Sequence, residues 1–384
     1  VVGQLKEMGI RNVLIDEAHA GYSPEDGSEF MTFMNELKPR KVIGFTATPC
    51  RLKNMSIGQT SYSQLNFITR MRPVYFKNLI HVIQVEEMIR QGFWTPLKYE
   101  TWDFNGDALK LNSNGSEYTA ESISEAVRKN GLNNLILRRL MVLKDVCRSI
   151  LVFMDSVESC NTAAEWMNAK ICAGMAEVVH GGTPKKQREA IVEGFKSGKT
   201  KVVFNYSALG TGFDHPGLDC VIVGRPTFSF SSFYQWLGRA VRIKDGKDSA
   251  LVVDCCNNSS RFGDIRKLSI ENYKGYGWGM FIGDKLITNI PMGDKVTKTD
   301  LDIKAAKKDR RRGLAQGVTA APVPGRPDHP LGSTVMTFGK YCGWMFHSIP
   351  VSYFKFINET FDWDNDRNKD IKEYIDFLIK NNRL

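Results

Sequence analysis

The stretch from Asn12 to Pro49 reads NVLIDEAHAGYSPEDGSEFMTFMNELKPRKVIGFTATP and decides the fold class. An apolar strand, NVLID, is followed by a loop and a helical segment, and a second apolar strand, KVIGFTAT, stops at the proline. Strands that alternate with helices are typical of a parallel sheet. We therefore predict an α/β fold.

The same alternation returns further along the chain. Strands are predicted at SILVFM, AEVVH, TKVVFNY, CVIVGRP and ALVVDCC, and helices at VESCNTAAEWMNAKI, KKQREAIVEGFKSG and FSSFYQWLGRAVR. Before them, a polar linker is expected from Trp102 to Tyr118, and apolar residues at helical spacing predict one helix from about Ala120 to Cys147. The pattern predicts two α/β domains joined by a linker.

Composition divides the chain into five segments. We expect an incomplete first α/β domain, a linker with a helix, a second α/β domain, a basic extension with a linker, and a small C-terminal α+β module that ends in an amphipathic helix; these cover residues 1–101, 102–147, 148–256, 257–330 and 331–384. The chain begins without Met and leads directly into a helical pattern, so it is expected to be the middle of a longer protein.

The charge balance indicates the class of partner. Lys and Arg number 52 against 42 Asp and Glu, which gives the 384 residues a net charge of +10. Such a surface attracts nucleic acid or anionic lipid heads, although a merely soluble basic protein has the same composition. No apolar run approaches the roughly 18 residues that span a bilayer, so no membrane partner is expected. The eight cysteines form no CxxC pair, which favours a reducing cytoplasm over disulfides or a zinc site.

Two adjacent carboxylates follow the first strand, in VLIDEAHA. Side chains at the carboxyl end of a parallel strand face a ligand crevice. Asp16 is a candidate Mg²⁺ ligand, usually through water, because a hard cation takes oxygen ligands and keeps part of its hydration shell. Glu17 is a candidate to orient and deprotonate the water that attacks a γ-phosphate. The alternative is that both residues only place negative charge at a helix N-terminus.

Two hydroxyls end the next strand, in FTATPCR. We expect Thr46 and Thr48 to hydrogen-bond to the DEAH carboxylates and to report the nucleotide state to the second domain. The alternative is that the segment only terminates a strand before Pro49.

Glycines and arginines mark the second α/β domain. SALGTGFDHP, residues 207–216, contains two glycines that let backbone N–H groups approach a phosphate or sugar, or that only form a turn. QWLGRAVR places Gln235, Arg239 and Arg242 at helical spacing, so both guanidiniums are expected to point into one cleft, where they suit charge on a transferring phosphoryl group. A solvated basic helix face is the alternative.

Two further segments give weaker indications of phosphate binding than the motifs above. His180 and Gly181 precede a helix whose N-terminal amides are candidates to hold a backbone phosphate, although a plain loop fits equally well. The SGKT at residues 197–200 is not a phosphate-binding loop, because GxxxxGK[ST] requires glycine where Glu193 stands.

DEAH, TATP, GTGFD and QWLGRAVR, in this order between Val13 and Asp254, resemble the motif set of superfamily 2 DEAD/DEAH-box helicases. Within that superfamily, IGFTATPCRL, VEEMIRQGFWTPLKYE and LVVDCCNNSSRFG resemble the RadD-like branch of bacterial and phage DNA helicases, although the C-terminal cysteine cluster of some members is absent from the sequence. The resemblance implies two RecA-like domains. It also implies a phosphate-binding (Walker A) loop N-terminal to DEAH, so the chain is expected to be truncated before that loop.

The resemblance assigns roles to single residues. Catalysis is expected from Asp16, Glu17, Arg239 and Arg242, with Arg242 as the arginine finger. ATP binding or its coupling to motion is expected from His19, Thr46, Thr48, Gly212, Asp214 and Gln235. Nucleic-acid contacts are expected from His180, Gly181, Ser207 and Thr211.

The last segment carries a signature of its own. Residues 337–357, TFGKYCGWMFHSIPVSYFKFI, resemble a small FGKYKG-type module of unknown function that is found near nucleases and other DNA-handling proteins. Lys340, Tyr341 and Trp344 are candidates to stack on or pair with nucleic acid. The sequence favours the other interpretation, in which most of these aromatic residues form the core of a small domain.

Together these patterns predict a cytoplasmic ATP-dependent DNA helicase or translocase of a bacterial or phage-infected cell, which uses ATP and Mg²⁺. DNA is favoured over RNA, and protein partners are expected in DNA repair, replication or recombination. Without a phosphate-binding loop, residues 1–384 alone are expected to be inactive. Two alternatives stay open: the motor subunit of a restriction-type system, and a non-catalytic nucleic-acid-binding scaffold with an inactive motor.

Overall fold

The computed structural model divides the chain into two compact units, one of residues 1–273 with 277–298 and the other of residues 274–276 with 299–384. The first unit contains both predicted α/β regions. The residues that the structure describes are 2–21, 28–57, 60–71, 74–209, 213–305, 329–334, 336, 345–360 and 369–381.

The helices and strands of the described residues follow the chain in this order. In the first unit the helices are α1 (Val2–Glu7), α2 (Ala18–Gly21), α3 (Glu29–Leu37), α4 (Val85–Arg90), α5 (Ala120–Lys129), α6 (Leu132–Val146), α7 (Val157–Lys170), α8 (Lys185–Lys196), α9 (Phe230–Gly238) and α10 (Asn258–Phe262). The strands are β1 (Asn12–Ile15), β2 (Lys41–Gly44), β3 (Cys50–Ile57), β4 (Thr60–Phe67), β5 (Leu97–Thr101), β6 (Ile150–Phe153), β7 (Ala176–His180), β8 (Val202–Tyr206), β9 (Cys220–Val223), β10 (Ala250–Asp254), β11 (Leu268–Tyr273), β12 (Gly277–Ile282), β13 (Lys285–Leu286) and β14 (Val296–Thr297). The second unit includes α11 (Val351–Thr360) and α12 (Lys369–Lys380).

β1 and β2 form the parallel pair predicted from the opening stretch. The Phe45 N–H donates to the Ile15 carbonyl at 2.8 Å, and the Ala18 N–H donates to the Phe45 carbonyl at 2.9 Å. α3, between the two strands, begins after Ser28, whose hydroxyl accepts from the Met31 N–H at 3.2 Å. The backbone pairing therefore continues past the strand ends and holds the DEAH and TATP segments together.

The main element is a six-stranded sheet in the order β5-β10-β9-β6-β8-β7, in which all neighbouring strands are parallel. Its inner strands β6 and β9 are apolar throughout, and β8 and β10 are apolar except near their carboxyl ends, because both faces are covered. On β6, Ile150 and Val152 face a core that includes α5, α6 and α7, whereas Leu151 and Phe153 face a core that includes α8 and α9. The α/β prediction is confirmed.

Two elements differ from the sequence predictions. The single helix expected from Ala120 to Cys147 is two helices, α5 and α6, because Gly131 between them adopts a left-handed conformation with φ +58°. β5 lies at the end of the segment expected to form the first domain, yet it pairs with β10 as the edge strand of the six-stranded sheet. Just before β5, the Thr95 N–H donates to the Val241 carbonyl at 2.8 Å, which fixes the chain beside this sheet.

Antiparallel strands occupy regions where the sequence has no clear period. β3 and β4 form a hairpin, and β11 to β14 form a four-stranded sheet. The latter lies where an extension and linker were expected. The sequence shows no strand alternation at β13 and β14 because each has only two residues. Between β11 and β12 the alternation is interrupted by glycines with positive φ, Gly275 and Gly277. Met280, Phe281 and Leu286 are buried, so this region packs as a folded element.

The second unit has its own apolar core. Phe346, Phe354 and Tyr374 pack together in it, with ring centroids 5.2 to 5.9 Å apart. α12 buries one face, as expected of an amphipathic C-terminal helix. The signature residues Lys340, Tyr341 and Trp344, and residues 306–313 of the basic run KAAKKDRRRG, lie outside the described residues.

No helix in the described part of the chain is long and apolar enough to cross a membrane.

Candidate active site

The DEAH segment forms a tight turn directly after β1. Glu17 has a positive φ of 46°, and its backbone N–H donates to Asp16 Oδ1 at 2.9 Å. Burial, with the negative charge of Asp16, raises the pKa of Glu17, and the positive charge of Arg239 opposes this rise. The turn therefore places Glu17 in a partly desolvated position, while the Asp16 side chain stays exposed to solvent.

His19 connects the DEAH and TATP segments. Its Nδ1 lies 2.8 Å from Thr46 Oγ1 and 3.3 Å from Glu17 Oε2. The expected link between the two motifs is present, but the Thr46 hydroxyl reaches the histidine where a carboxylate was expected. Burial, with the nearby Arg51, lowers the pKa of His19, so the ring is neutral at neutral pH.

Thr48 is placed by the backbone of the same segment. Its N–H donates to Thr46 Oγ1 at 3.1 Å, and its side chain is only 1% exposed. Its hydroxyl oxygen has no hydrogen-bond partner within the described residues. Thr48 therefore lies beneath the site, and Thr46 is the threonine that contacts DEAH.

α9 brings Gln235 and Arg239 against the DEAH turn. The helix is capped by Ser229, which accepts from the Ser232 N–H at 3.2 Å, and it buries its apolar face in the core. On the other face, Gln235 Nε2 lies 3.5 Å from Glu17 Oε1. Arg239 Nη1 donates to the Phe213 carbonyl at 2.6 Å. The Glu17 carboxylate and the arginine motif thus meet across two different sheets.

Arg242 is not on the helix, which corrects the expectation that both arginines share a helical face. α9 ends at Gly238, and Arg239 forms its C-cap. Ala240 and Val241 then turn into the core, which carries the chain off the helical path. Arg242 Nε lies 3.3 Å from Asp214 Oδ1, and both side chains are exposed, at 58% and 64%. Arg239 is therefore the arginine beside Glu17, and Arg242 pairs with Asp214 at the surface.

Three of the candidate nucleic-acid residues, His180, Gly181 and Ser207, lie at the carboxyl edge of the six-stranded sheet. The His180 N–H donates to Thr183 Oγ1 at 3.0 Å, and the Gly182 N–H donates to His180 Nδ1 at 3.1 Å, so this turn is held by its own hydrogen bonds. Gly181 is exposed with open space around it. Ser207 follows β8, exposed and with φ +53°. Thr211 and Gly212 lie outside the described residues.

Arg225 was missed in the sequence analysis. Its Nη1 lies 3.5 Å from Ser207 Oγ, and its guanidinium carbon lies 5.4 Å from the centre of the Tyr206 ring. The available signal was an arginine two residues after the end of a fully apolar strand, in CVIVGRP. Arg225 adds a cation to the same edge as His180 and Ser207.

Glu117 was also missed, because it lies in a stretch with the composition of a linker. Its carboxylate accepts from Thr227 Oγ1 at 2.5 Å and from the Phe228 N–H at 2.7 Å. Arg261 donates to the Thr227 carbonyl at 2.7 Å, and Asn258 Oδ1 accepts from the Thr227 N–H at 3.0 Å. These bonds hold the loop that enters α9 and so position Gln235 and Arg239 indirectly.

The oxygen atoms at the turn fit Mg²⁺ in the manner expected for a nucleotide-bound ion. No group of three or more His, Cys, Asp or Glu side chains in the described parts of the chain is arranged to hold a metal ion by itself. Asp16 offers one exposed carboxylate. Mg²⁺ that accompanies phosphates is usually held by one or two carboxylates, with water and phosphate oxygens completing its shell.

Residues 132–244, which include α6 to α9 and both arginines, match the family described as "Helicase conserved C-terminal domain". IRC3 of Saccharomyces cerevisiae, named as an ATP-dependent helicase, is 25% identical over 252 residues, which are 65% of this chain and 34% of that protein. A 51.5 kDa protein of a Lactococcus phage is 26% identical over 243 residues, which are 63% of this chain and 48% of that protein.

These matches show that the chain is similar to helicases. The chain spans only 34% and 48% of the length of the two relatives. Among solved structures, a fragment assigned as an HsdR subunit of a type I restriction enzyme from Vibrio vulnificus is 20% identical, with a TM-score of 0.49 over 69% of this chain and 48% of that chain.

Proposed function

We propose that this chain belongs to an ATP-dependent DNA helicase or translocase of the RadD-like branch, which acts in the cytoplasm. The observation that carries the proposal is the approach of Gln235, about one helical turn before Arg239, to Glu17. A carboxylate and an arginine on two separate sheets, facing one cleft, are the arrangement that phosphoryl transfer between two domains requires.

Each wall of the cleft has a separate task. Glu17 orients the attacking water and accepts its proton, and the raised pKa of the carboxyl suits it to that role. Asp16 holds Mg²⁺, which neutralises phosphate charge when bound. Arg239 stays beside Glu17, while Arg242 leaves Asp214 and reaches the γ-phosphate when the cleft closes.

Nucleic acid is proposed to run along the carboxyl edge of the six-stranded sheet, past His180, Ser207 and Arg225. Support comes from the exposed backbone of Gly181 and Ser207, where a phosphate can approach closely, and from the cation that Arg225 adds. The preference for DNA rests on the sequence signatures of the RadD-like branch alone.

Residues 1–384 by themselves are expected to hydrolyse ATP negligibly. No phosphate-binding loop sequence occurs in them, so the β- and γ-phosphates lack their cradle of backbone amides and Lys. The measurement is phosphate release with and without single-stranded DNA. Robust DNA-stimulated turnover by these residues alone would refute the proposed dependence on such a loop.

Binding of single-stranded DNA by residues 1–384 is expected to weaken steeply between roughly 50 and 200 mM salt, because phosphate contacts by Lys and Arg release counterions. Arg225→Ala should weaken binding and reduce the slope of log affinity against log salt by about one. Lys129→Ala is the control, since Lys129 is exposed on α5, paired with Glu125, and carries the same charge.

Fluorescence anisotropy over a salt series measures both variants. Insensitivity to salt would contradict the electrostatic account of binding. Equal effects of Arg225→Ala and Lys129→Ala would remove Arg225 from the interface and leave only a general charge effect.

A further inference from the structure

A cavity of about 400 Å³ opens at the amino ends of β6, β8, β9 and β10. It lies at the opposite edge of the sheet from His180 and Ser207. Its lining includes none of Asp16, Glu17, Arg239 and Arg242. Its charged lining consists of four cations, Arg148, Lys196, Lys244 and Lys247, and two carboxylates, Asp219 and Asp248, and His215 also lines it.

Two of the charged groups in this pocket, Asp219 and Lys247, are hydrogen-bonded to the protein backbone. Asp219 accepts from the backbone N–H groups of Arg148 and Ser149 at 2.9 and 3.0 Å. Lys247 Nζ donates to the carbonyls of Ala240, Arg242 and Pro216 at 2.7, 2.8 and 3.2 Å, which uses its three N–H bonds. Both therefore serve the fold of the pocket walls.

Lys196 and Lys244 differ from these two groups in their hydrogen bonding. Within the described residues, neither ammonium group has a hydrogen-bond or ion-pair partner, and both line the cavity. Arg148 adds a third positive charge, although its Nη2 donates to the Gly246 carbonyl at 2.8 Å. The lining cations outnumber the carboxylates Asp219 and Asp248, so the pocket presents a net positive charge to a ligand.

His215 supplies a second, independent sign of a ligand. The side chain is 5% exposed, and its ring packs against Phe195 with the centroids 5.0 Å apart. Nε2 is enclosed and has no hydrogen-bond partner in the described part of the chain. Burial, with the charges of Lys244, Lys196 and Lys247, lowers the pKa of His215 to about 4. The ring is thus neutral at neutral pH, and a neutral imidazole has one N–H to donate.

A buried polar atom without a partner is costly, so a native protein usually satisfies it with a ligand, an ion or water. We propose that this pocket binds the phosphate group of a small ligand, with Lys196 and Lys244 neutralising its charge and His215 Nε2 donating a hydrogen bond. A volume of about 400 Å³ suits a small molecule. Its place at the amino ends of the strands, away from the proposed nucleic-acid edge, favours a small ligand over a nucleic-acid backbone.

The test is isothermal titration calorimetry of residues 1–384 with inorganic pyrophosphate, inorganic phosphate and AMP. The first two probes carry only phosphate, and AMP adds a nucleoside. Comparison of their affinities therefore tells whether the pocket prefers a free phosphate or a phosphate that is part of a nucleotide. Lys196→Ala and Lys244→Ala are each expected to weaken pyrophosphate binding about tenfold, the effect of losing one charge-assisted hydrogen bond. His215→Phe keeps an aromatic ring among Phe195 and Phe213, removes the donor, and should weaken binding by a similar factor.

Lys199→Ala is the matched control, because Lys199 is exposed three residues from Lys196 and does not line the cavity. Its affinity for pyrophosphate should equal that of the unchanged protein. Absence of binding, or equal weakening by Lys199→Ala, would overturn the proposal. Loss of binding in Arg242→Ala with the lysine variants unaffected would place pyrophosphate in the other cleft and would also overturn it. If His215→Phe does not fold, the two lysine variants still decide the outcome.

Discussion

Replacing Glu17 with Gln is expected to abolish ATP turnover while ATP binding persists, in a version of the protein that carries a phosphate-binding loop ahead of Val1. The amide occupies the same place beside Gln235 and His19, but it cannot accept a proton from the attacking water. The loss should be at least about 10²- to 10⁴-fold, the usual contribution of a positioned general base. Phosphate release measures turnover, and binding of a fluorescent ATP analogue measures affinity.

Glu36→Gln is the control for this substitution. Glu36 is an exposed residue of helix α3, and its substitution makes the same change in charge outside the DEAH and TATP segments. Its turnover should match that of the unchanged protein. Turnover of Glu17→Gln within a few-fold of the unchanged protein would remove Glu17 from the role of base.

Arg242→Lys should reduce ATP turnover by about 10³- to 10⁵-fold, as arginine fingers do elsewhere. Lysine keeps the charge, but it lacks the planar fork of donors that contacts several phosphoryl oxygens at once. Affinity for DNA without nucleotide should change little, because the side chain pairs with Asp214 and is not among the residues proposed to contact nucleic acid. Steady-state turnover and anisotropy with single-stranded DNA measure the two effects.

Arg239→Lys tests whether the effect on ATP turnover is specific to Arg242. Arg239 is already bound to the Phe213 carbonyl and lies beside Glu17, so its loss should disturb the site without nucleotide as well. Arg128→Lys, at an exposed position of α5, controls for the substitution itself. If Arg242→Lys retained turnover and weakened DNA binding, Arg242 would be a backbone contact, and the finger would be Arg239 or absent.

The parallel sheets were predictable because buried parallel strands are apolar on both faces and leave an unmistakable pattern. β6 and β9 are buried throughout, β8 is buried at all but its last residue, and all three were predicted. The DEAH turn was predictable for a related reason, since polar residues that directly follow such a strand must lie at the sheet edge. His19, Thr46 and Glu17 do meet there.

Other features depend on contacts that sequence spacing does not encode. The helical period continues past Gly238 in QWLGRAVR, but α9 ends there, Ala240 and Val241 are buried in the core, and Arg242 lies off the helix. The residues beside Glu117 in the sequence have the composition of a linker, and its contact with Thr227 forms only in the folded chain. The pairing of β5 with β10 likewise joins residues that are far apart in the sequence.

Nucleic-acid-dependent ATP turnover tests the central claim, that this chain belongs to a helicase-type motor, most directly. The measurement compares phosphate release with and without single-stranded DNA, for a version that carries the phosphate-binding loop and for its Glu17→Gln variant. We predict that DNA raises turnover severalfold or more, and that the variant has no turnover under either condition. Turnover that DNA does not change, or that survives in the variant, would contradict the account.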